Sequence, residues 1–393
     1  MPVLLYLLAL AVFAQGTSEF VLAGLLPGIA HDLGTSLAEA GLLTSGFALG
    51  MVIGAPAMAA AGRRLPPRWT LTGFLALFIL AHVVGAVAGD FGVLLASRLL
   101  AAFANAGFLA VALSTIAALV PAARLSRALS IVLGGITLAL IAGVPAGALI
   151  GDLLGWRSTL WAISLLCVPA LLAIVLAVPS GRMDADVSAE DAAGPVALRH
   201  ELSALRTRPV PTSVVLAVLV NAATFCTFTY LAPVAIEGAG VAPGAVPLLL
   251  ALFGVGAFLG VTIAGRIGDR RGRGLISLTA PLLMLGWAML AASASVPWLL
   301  WALTPFLGAL SFALGSTLVA RVVAAATPVA PTMAGSFATA ALNLGAVIGP
   351  VAGGAVIGVL GVTGPVMISA GLAALALACW WLLPGGRSDG GGV

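Results

Sequence analysis

The sequence predicts an all-α membrane protein with twelve transmembrane helices, arranged as two six-helix bundles in parallel repeat with both termini in the cytoplasm. Three observations predict it. Hydrophobic residues fill 62% of the 393 positions and charged residues only 8%, against about 25% charged in a soluble chain. Apolar runs long enough to cross a bilayer recur between polar breaks. The chain also matches itself without a gap over five helices when displaced by 206 residues.

A chain so apolar cannot cover itself with a polar surface, and its solvent is lipid. The net charge of +4 comes entirely from Arg on the basic side, with no Lys anywhere. It fits membrane orientation better than nucleic acid, and no nucleic-acid partner is expected. Cys167, Cys226 and Cys379 stand in apolar stretches without CxxC spacing and read as small core residues.

The spans follow in order. Residues 3–28 form the first. They lack the basic start of a signal peptide, and the apolar run continues past Gln15 to Ile29. The next five are expected near 40–61, 70–89, 92–119, 126–150 and 158–178. Six more follow near 210–233, 245–265, 274–293, 297–322, 333–359 and 363–383. The fifth and eleventh are rich in Gly, which tightly packed membrane helices tolerate. Domains are therefore expected at 1–178 and 210–393, joined by a cytoplasmic linker at 179–209. That linker mixes four acids with a short amphipathic stretch, Val196–Arg208.

Arg sets the orientation. With the N-terminus inside, 15 of the 17 Arg fall in cytoplasmic loops or on the tail, leaving Arg98 and Arg157. The outer loops hold acids: Asp32, Asp90, Asp152 and Glu237. A bacterial inner membrane is the expected location.

The repeat aligns residues with legible roles. Gly50 and Gly54 meet Gly256 and Gly260, as small-xxx-small faces on which helices approach closely. Gly143 and Gly147 meet Gly349 and Gly353, beside Pro145 and Pro350. These faces are expected to line the contact between the halves, where rocking needs little side-chain interdigitation. Six helices per half, an even number, make the repeats parallel, so that rocking alternates access to a central cavity.

The chain resembles the major facilitator superfamily over its whole length, in the twelve-helix drug:proton antiporter type. The loop Gly265-Arg266-Ile267-Gly268-Asp269-Arg270-Arg271-Gly272-Arg273 is similar to that family's cytoplasmic signature. The first-half copy, with Arg63 and Arg64, is degenerate, because Arg63 stands where the second half has Asp269. The resemblance implies a gating role for Arg63, Arg64, Asp269, Arg270 and Arg273, lopsided by that loss. Arg98 matches the family's buried Arg, and Gly143, Pro145, Gly147, Gly349, Pro350 and Gly353 match its antiporter motif. The stretches 15–20 and 104–111 are similar to actinobacterial chloramphenicol-resistance exporters.

Glu19 sits opposite Phe225 in the repeat, and Arg98 opposite Thr304. Only the first half holds charge at membrane depth, where ionisable groups are costly and mark ion pathways. At 1.5 Å per residue, Glu19 lies roughly 24 Å from the inner edge. Arg98 lies roughly 10 Å below the outer edge of a core about 30 Å thick. The two are expected to face each other, directly or through water, with Asn105 deeper on the Arg98 face. Glu19 is then the expected proton site and Arg98 its partner; a purely structural pair tying two helices is the alternative.

Gln15, Asn105, Asn221, Thr224, Tyr230, Asn343 and Trp161 are candidates to line a substrate cavity, or to bond neighbouring helices. No Walker-type sequence, catalytic set or His/Cys cluster is present, so no enzyme activity, cofactor or metal is expected. The resemblance implies a proton-coupled exporter of a small amphipathic drug, chloramphenicol or a related phenicol, working as a monomer. A sugar or nucleoside exporter of the same superfamily is the alternative.

Overall fold

The computed structural model describes residues 2–61, 66–178, 209–293, 295–330 and 333–382. Among the described residues the regular structure is entirely helical. The first half holds α1 (Pro2–Phe20), α2 (Leu22–Leu33), α3 (Leu37–Ala61), α4 (Pro67–Ala86), α5 (Phe91–Leu119), α6 (Ala122–Leu138), α7 (Val144–Leu154) and α8 (Trp156–Ala177). The second holds α9 (Pro209–Thr229), α10 (Val246–Ala292), α11 (Pro297–Ala326), α12 (Ala334–Leu360) and α13 (Gly364–Leu382).

Ten apolar stretches among these residues are long enough to cross a membrane, and α1 with α2 supplies a bent eleventh. One of the ten, Ala334–Leu382, runs for 49 residues. It holds two helices, α12 and α13, separated at Gly361, whose φ of 67° stops α12. Twelve spans result, matching the sequence expectation. Their outer faces are apolar: Leu176 is 83% exposed and Val359 86%. Water does not tolerate such a belt on a soluble chain, whereas lipid does.

Three spans are less regular than the sequence suggests. The first bends by 53° at Val21, between α1 and α2. The fifth is α6 and α7 joined through a π-helical turn, Ala139–Gly143, with Pro145 just beyond it. The backbone of α10 stays helical through 266–273, where a loop was expected, and so carries both the eighth and the ninth span.

By contact, the chain divides into two compact units. The first is the described part of Met1–Ala185 with Leu231–Gly254; the second is the described part of Asp186–Tyr230 with Val255–Val393. Residues 231–254, expected in the second bundle, therefore group with the first. The expected linker falls almost wholly outside the described residues.

Within each unit the glycine faces carry the packing. A Cβ on Gly50 would run into Ala102 and the Leu99 carbonyl, and one on Gly54 into Ala106 and Phe103. In the second unit Gly256 meets Pro305 and Gly260 meets Ala309, the 206-residue counterparts of Leu99 and Phe103. The repeat thus extends from residue identity to residue contact.

The antiporter-motif glycines make close contacts inside each half. Gly143 and Gly147 press on Thr17 and Val21, and Gly151 continues the row onto Leu25. On α12, Gly345, Gly349 and Gly353 press on Val218, Ala222 and Cys226 of α9. Both rows advance four residues at a time on each partner, the spacing of one helix face. They seat each span against its own half.

Candidate functional site

Arg98 is 1% exposed, and its surroundings decide what it does. It lies on α5, about two turns past the Asp90 side chain that caps the helix by accepting from the Val93 N–H at 2.9 Å. A buried guanidinium needs acceptors for its N–H groups. Here α1 supplies them. Nη1 donates to Ser18 Oγ at 2.7 Å and Nη2 donates to the Ser18 carbonyl at 2.6 Å. That carbonyl belongs to the last turn of α1, where carbonyls run short of donors within the helix. The guanidinium carbon also stands 4.6 Å from the centre of the Phe47 ring on α3, a cation–π contact that is stronger away from water.

His82 of α4 completes the cluster. Its ring is 2% exposed, with Nδ1 2.8 Å from the Phe78 carbonyl and Nε2 2.7 Å from Ser18 Oγ. A carbonyl only accepts, which assigns the proton to Nδ1 and a lone pair to Nε2. Ser18 therefore accepts from Arg98 and donates to His82. Arg98 Nη1 lies 3.4 Å from Nε2, a much weaker direct contact.

Glu19, expected to face Arg98 directly or through water, makes no direct ion pair with it among the described residues. It is half-buried beside Ser18. Arg98 is still close enough for its charge to act on the carboxylate. The guanidinium has instead taken the neighbouring hydroxyl and carbonyl. Ser18 and His82 were missed by sequence reasoning, which found no His/Cys cluster. The available signal was a His at membrane depth on the span preceding the one that carries Arg98.

The repeat counterparts of this cluster are Thr224, Phe225, Ala288 and Thr304, none of them charged. Thr224 and Thr304 each donate to the carbonyl four residues back, Val220 at 2.9 Å and Leu300 at 2.7 Å. Their hydroxyls are satisfied within their own helices. The charged site exists on one side only.

The other candidates separate. Gln15 is 1% exposed, and its amide oxygen and nitrogen find no partner among the described residues. Asn105 is buried on α5. Besides Thr224, three candidates bond helical backbone: Asn221 donates to Leu342 O at 2.5 Å, Tyr230 to Pro350 O at 2.9 Å, and Asn343 to Thr339 O at 3.0 Å. Thr227 and Ser369, 2.6 Å apart, add to the seam around Tyr230. Trp161 is 42% exposed on α8. Arg63 and Arg64 lie outside the described residues, as do the side chains of Asp269 and Arg270, while Arg273 is exposed on α10.

A second polar cluster ties α2, α8 and the turn that follows α4. Arg157 Nη1 donates to Asp32 at 3.2 Å and Nη2 to Ala88 O at 3.0 Å, while the Trp156 indole N–H donates to Asp32 at 3.1 Å. The guanidinium also lies 4.2 Å from the Trp156 ring centre.

The profile of the Major Facilitator Superfamily matches residues 8–245 and 216–391. A "Chloramphenicol resistance protein" of Streptomyces lividans is 52% identical over 378 residues, spanning 96% of this chain and 95% of the relative. The "Inner membrane transport protein YdhP" of Escherichia coli K12 is 32% identical, over 89% of this chain and 87% of its own. Among solved structures, a D-xylose-proton symporter superposes with a TM-score of 0.77 at 15% identity, covering 98% of both chains. A point mutant of the nucleoside transporter NupG does so at 0.77 and 13% identity, covering 95% of this chain and 97% of its own. At such identities the two structures speak to the fold alone.

Proposed function

Because the chain belongs to the Major Facilitator Superfamily, and is thus a membrane transporter and not an enzyme, we propose that it exports a small amphipathic drug in exchange for protons. Chloramphenicol or a related phenicol is the substrate, and the bacterial plasma membrane the location. The 52% identity to the Streptomyces resistance protein, nearly end to end on both chains, carries the substrate class.

Proton coupling rests on the one-sided cluster. Glu19 is the group that exchanges the proton, and Arg98 is the cation its charge state acts on. A carboxylate beside a guanidinium favours the ionised form, and loss of solvent favours the neutral one. A transporter that alternately wets and dries this site therefore loads and unloads a proton. Gln15 and Asn105, polar and buried on the same two helices, offer amides along the path. The Arg residues at the expected cytoplasmic ends orient both termini inward.

Expression in a chloramphenicol-sensitive host lacking its own exporters should raise tolerance, and a protonophore should restore drug accumulation. In proteoliposomes, export driven by an imposed pH gradient should be lost in Glu19→Gln while the protein still reaches the membrane. Unchanged tolerance, with export of a pentose or nucleoside instead, would transfer the substrate to the sugar and nucleoside class. Full proton-driven export by Glu19→Gln would remove the coupling role from that residue.

A further inference from the structure

Arg98 takes its acceptors from Ser18, although an acid, Glu19, is the next residue on α1. The guanidinium commits both terminal nitrogens to Ser18, whose hydroxyl is in turn held by the lone pair of His82. Its Nε has no partner among the described residues. Glu19, the next residue along α1, is absent from the ion pairs of the described residues. A hydroxyl has one proton and can point it one way at a time. With that proton committed to His82, Ser18 Oγ turns its lone pairs toward the guanidinium and accepts. Without His82, the same hydroxyl can turn its proton elsewhere, including onto a backbone carbonyl of α1 as threonines in this chain do. The acceptor facing Arg98 would then be weakened.

We propose that His82, acting through Ser18, is a positioning residue that holds Arg98 on the Ser18 end of the site and off the Glu19 carboxylate. The inference rests on the proton-coupling role of Glu19 given above. The groups that meet at this point are Glu19 and Ser18 on α1, His82 on α4, Arg98 on α5 and the Phe47 ring on α3. Among the described residues the only titratable ones here are Glu19, His82 and Arg98. The neutral ring fits the role, because a proton on Nε2 would face Ser18 Oγ as a second donor and set another cation against Arg98. The position is not shared by the second half, where Ala288 stands opposite His82 and Thr304 opposite Arg98.

The role has a measurable sign. Releasing Arg98 from Ser18 lets it move onto Glu19, and a cation at a carboxylate favours the ionised form by about one to three pH units. The pH of half-maximal export should therefore fall by about one unit in His82→Leu. His82→Gln places an amide acceptor near the Nε2 position without a titrating ring, and should restore the wild-type profile. Ser18→Ala removes the bridge and should shift the profile in the same direction, which keeps the test open if His82→Leu does not reach the membrane.

All variants would be assayed in proteoliposomes for chloramphenicol export across a series of pH values, beside Glu19→Gln. An unshifted profile in both His82→Leu and Ser18→Ala overturns the inference. So does loss of coupling in His82→Gln, which would make the imidazole a proton carrier itself. If Glu19→Gln still couples, it is the Glu19 assignment that fails. If Glu19→Gln is uncoupled while His82→Leu keeps its profile, the positioning role alone is lost.

Discussion

Tyr230 buries its ring completely and donates its hydroxyl to the Pro350 carbonyl at 2.9 Å. A hydroxyl buried between membrane helices needs an acceptor, and here a carbonyl of the neighbouring helix supplies it. The bond is therefore a seam between α9 and α12. Tyr230→Phe should lower stability by about 0.6 kcal/mol, the average for such bonds in a membrane protein. Thermal unfolding in detergent would read this as a small loss, with export retained. A large loss of export at unchanged stability would instead place Tyr230 in the substrate path. The same reasoning explains what the sequence could mark at this scale, polar residues at membrane depth, and what it could not, the partner of each. Asn221 and Tyr230 are polar at membrane depth, and composition does not distinguish a group facing a cavity from one bonding a carbonyl on a distant helix. Ser18 was invisible for a related reason. An isolated serine in an apolar run carries no sign of which side chain it will meet.

At the level of helices, the decisive quantity is how near two backbones come. Gly143 leaves no room for a Cβ against Thr17, whereas Gly134, on the same span, has nothing within 4 Å of where a Cβ would be. Gly143→Val should cost about 1–3 kcal/mol by overpacking, lowering both the amount of folded protein and export. Gly134→Ala should leave both unchanged. Equal tolerance of the two substitutions in a growth assay would contradict this packing. The twelve spans were legible from hydropathy because each must bury or expose a whole apolar length. The 53° bend at Val21 and the π-helical turn before Pro145 were not. Both depend on how a neighbour's side chains fill the space, as Thr17 and Val21 do against the fifth span. The direction in which the motif glycines face was hidden for the same reason, since a row of Gly looks alike whichever partner it meets.

The whole molecule combines a shared frame with an unshared charge. The contacts of Gly50 and Gly54 recur at Gly256 and Gly260 against the matching residues, so Gly50→Val and Gly256→Val should cause comparable losses of export. Polar substitutions should behave unequally. Thr304 satisfies its hydroxyl on Leu300 within its own helix, so Thr304→Val should keep the pH dependence of export. Its counterpart Arg98 should not tolerate replacement by Met. Measuring both across pH separates duplicated structure from single-copy chemistry; a pH profile displaced by Thr304→Val would break the distinction.

The cluster of Asp32, Trp156 and Arg157 carries an optical consequence. Trp156 is 2% exposed, donates its indole N–H to a carboxylate and lies against a guanidinium. The ring lies between the Asp32 carboxylate and the Arg157 guanidinium, and indole emission responds to such fields. With the chain's other tryptophans replaced by Phe, this ring becomes a built-in fluorophore at the junction of α2 and α8. Its emission would shift when Asp32→Asn removes the anion. Any movement that separates α2 from α8 during a transport cycle would register as a change in colour, without a label.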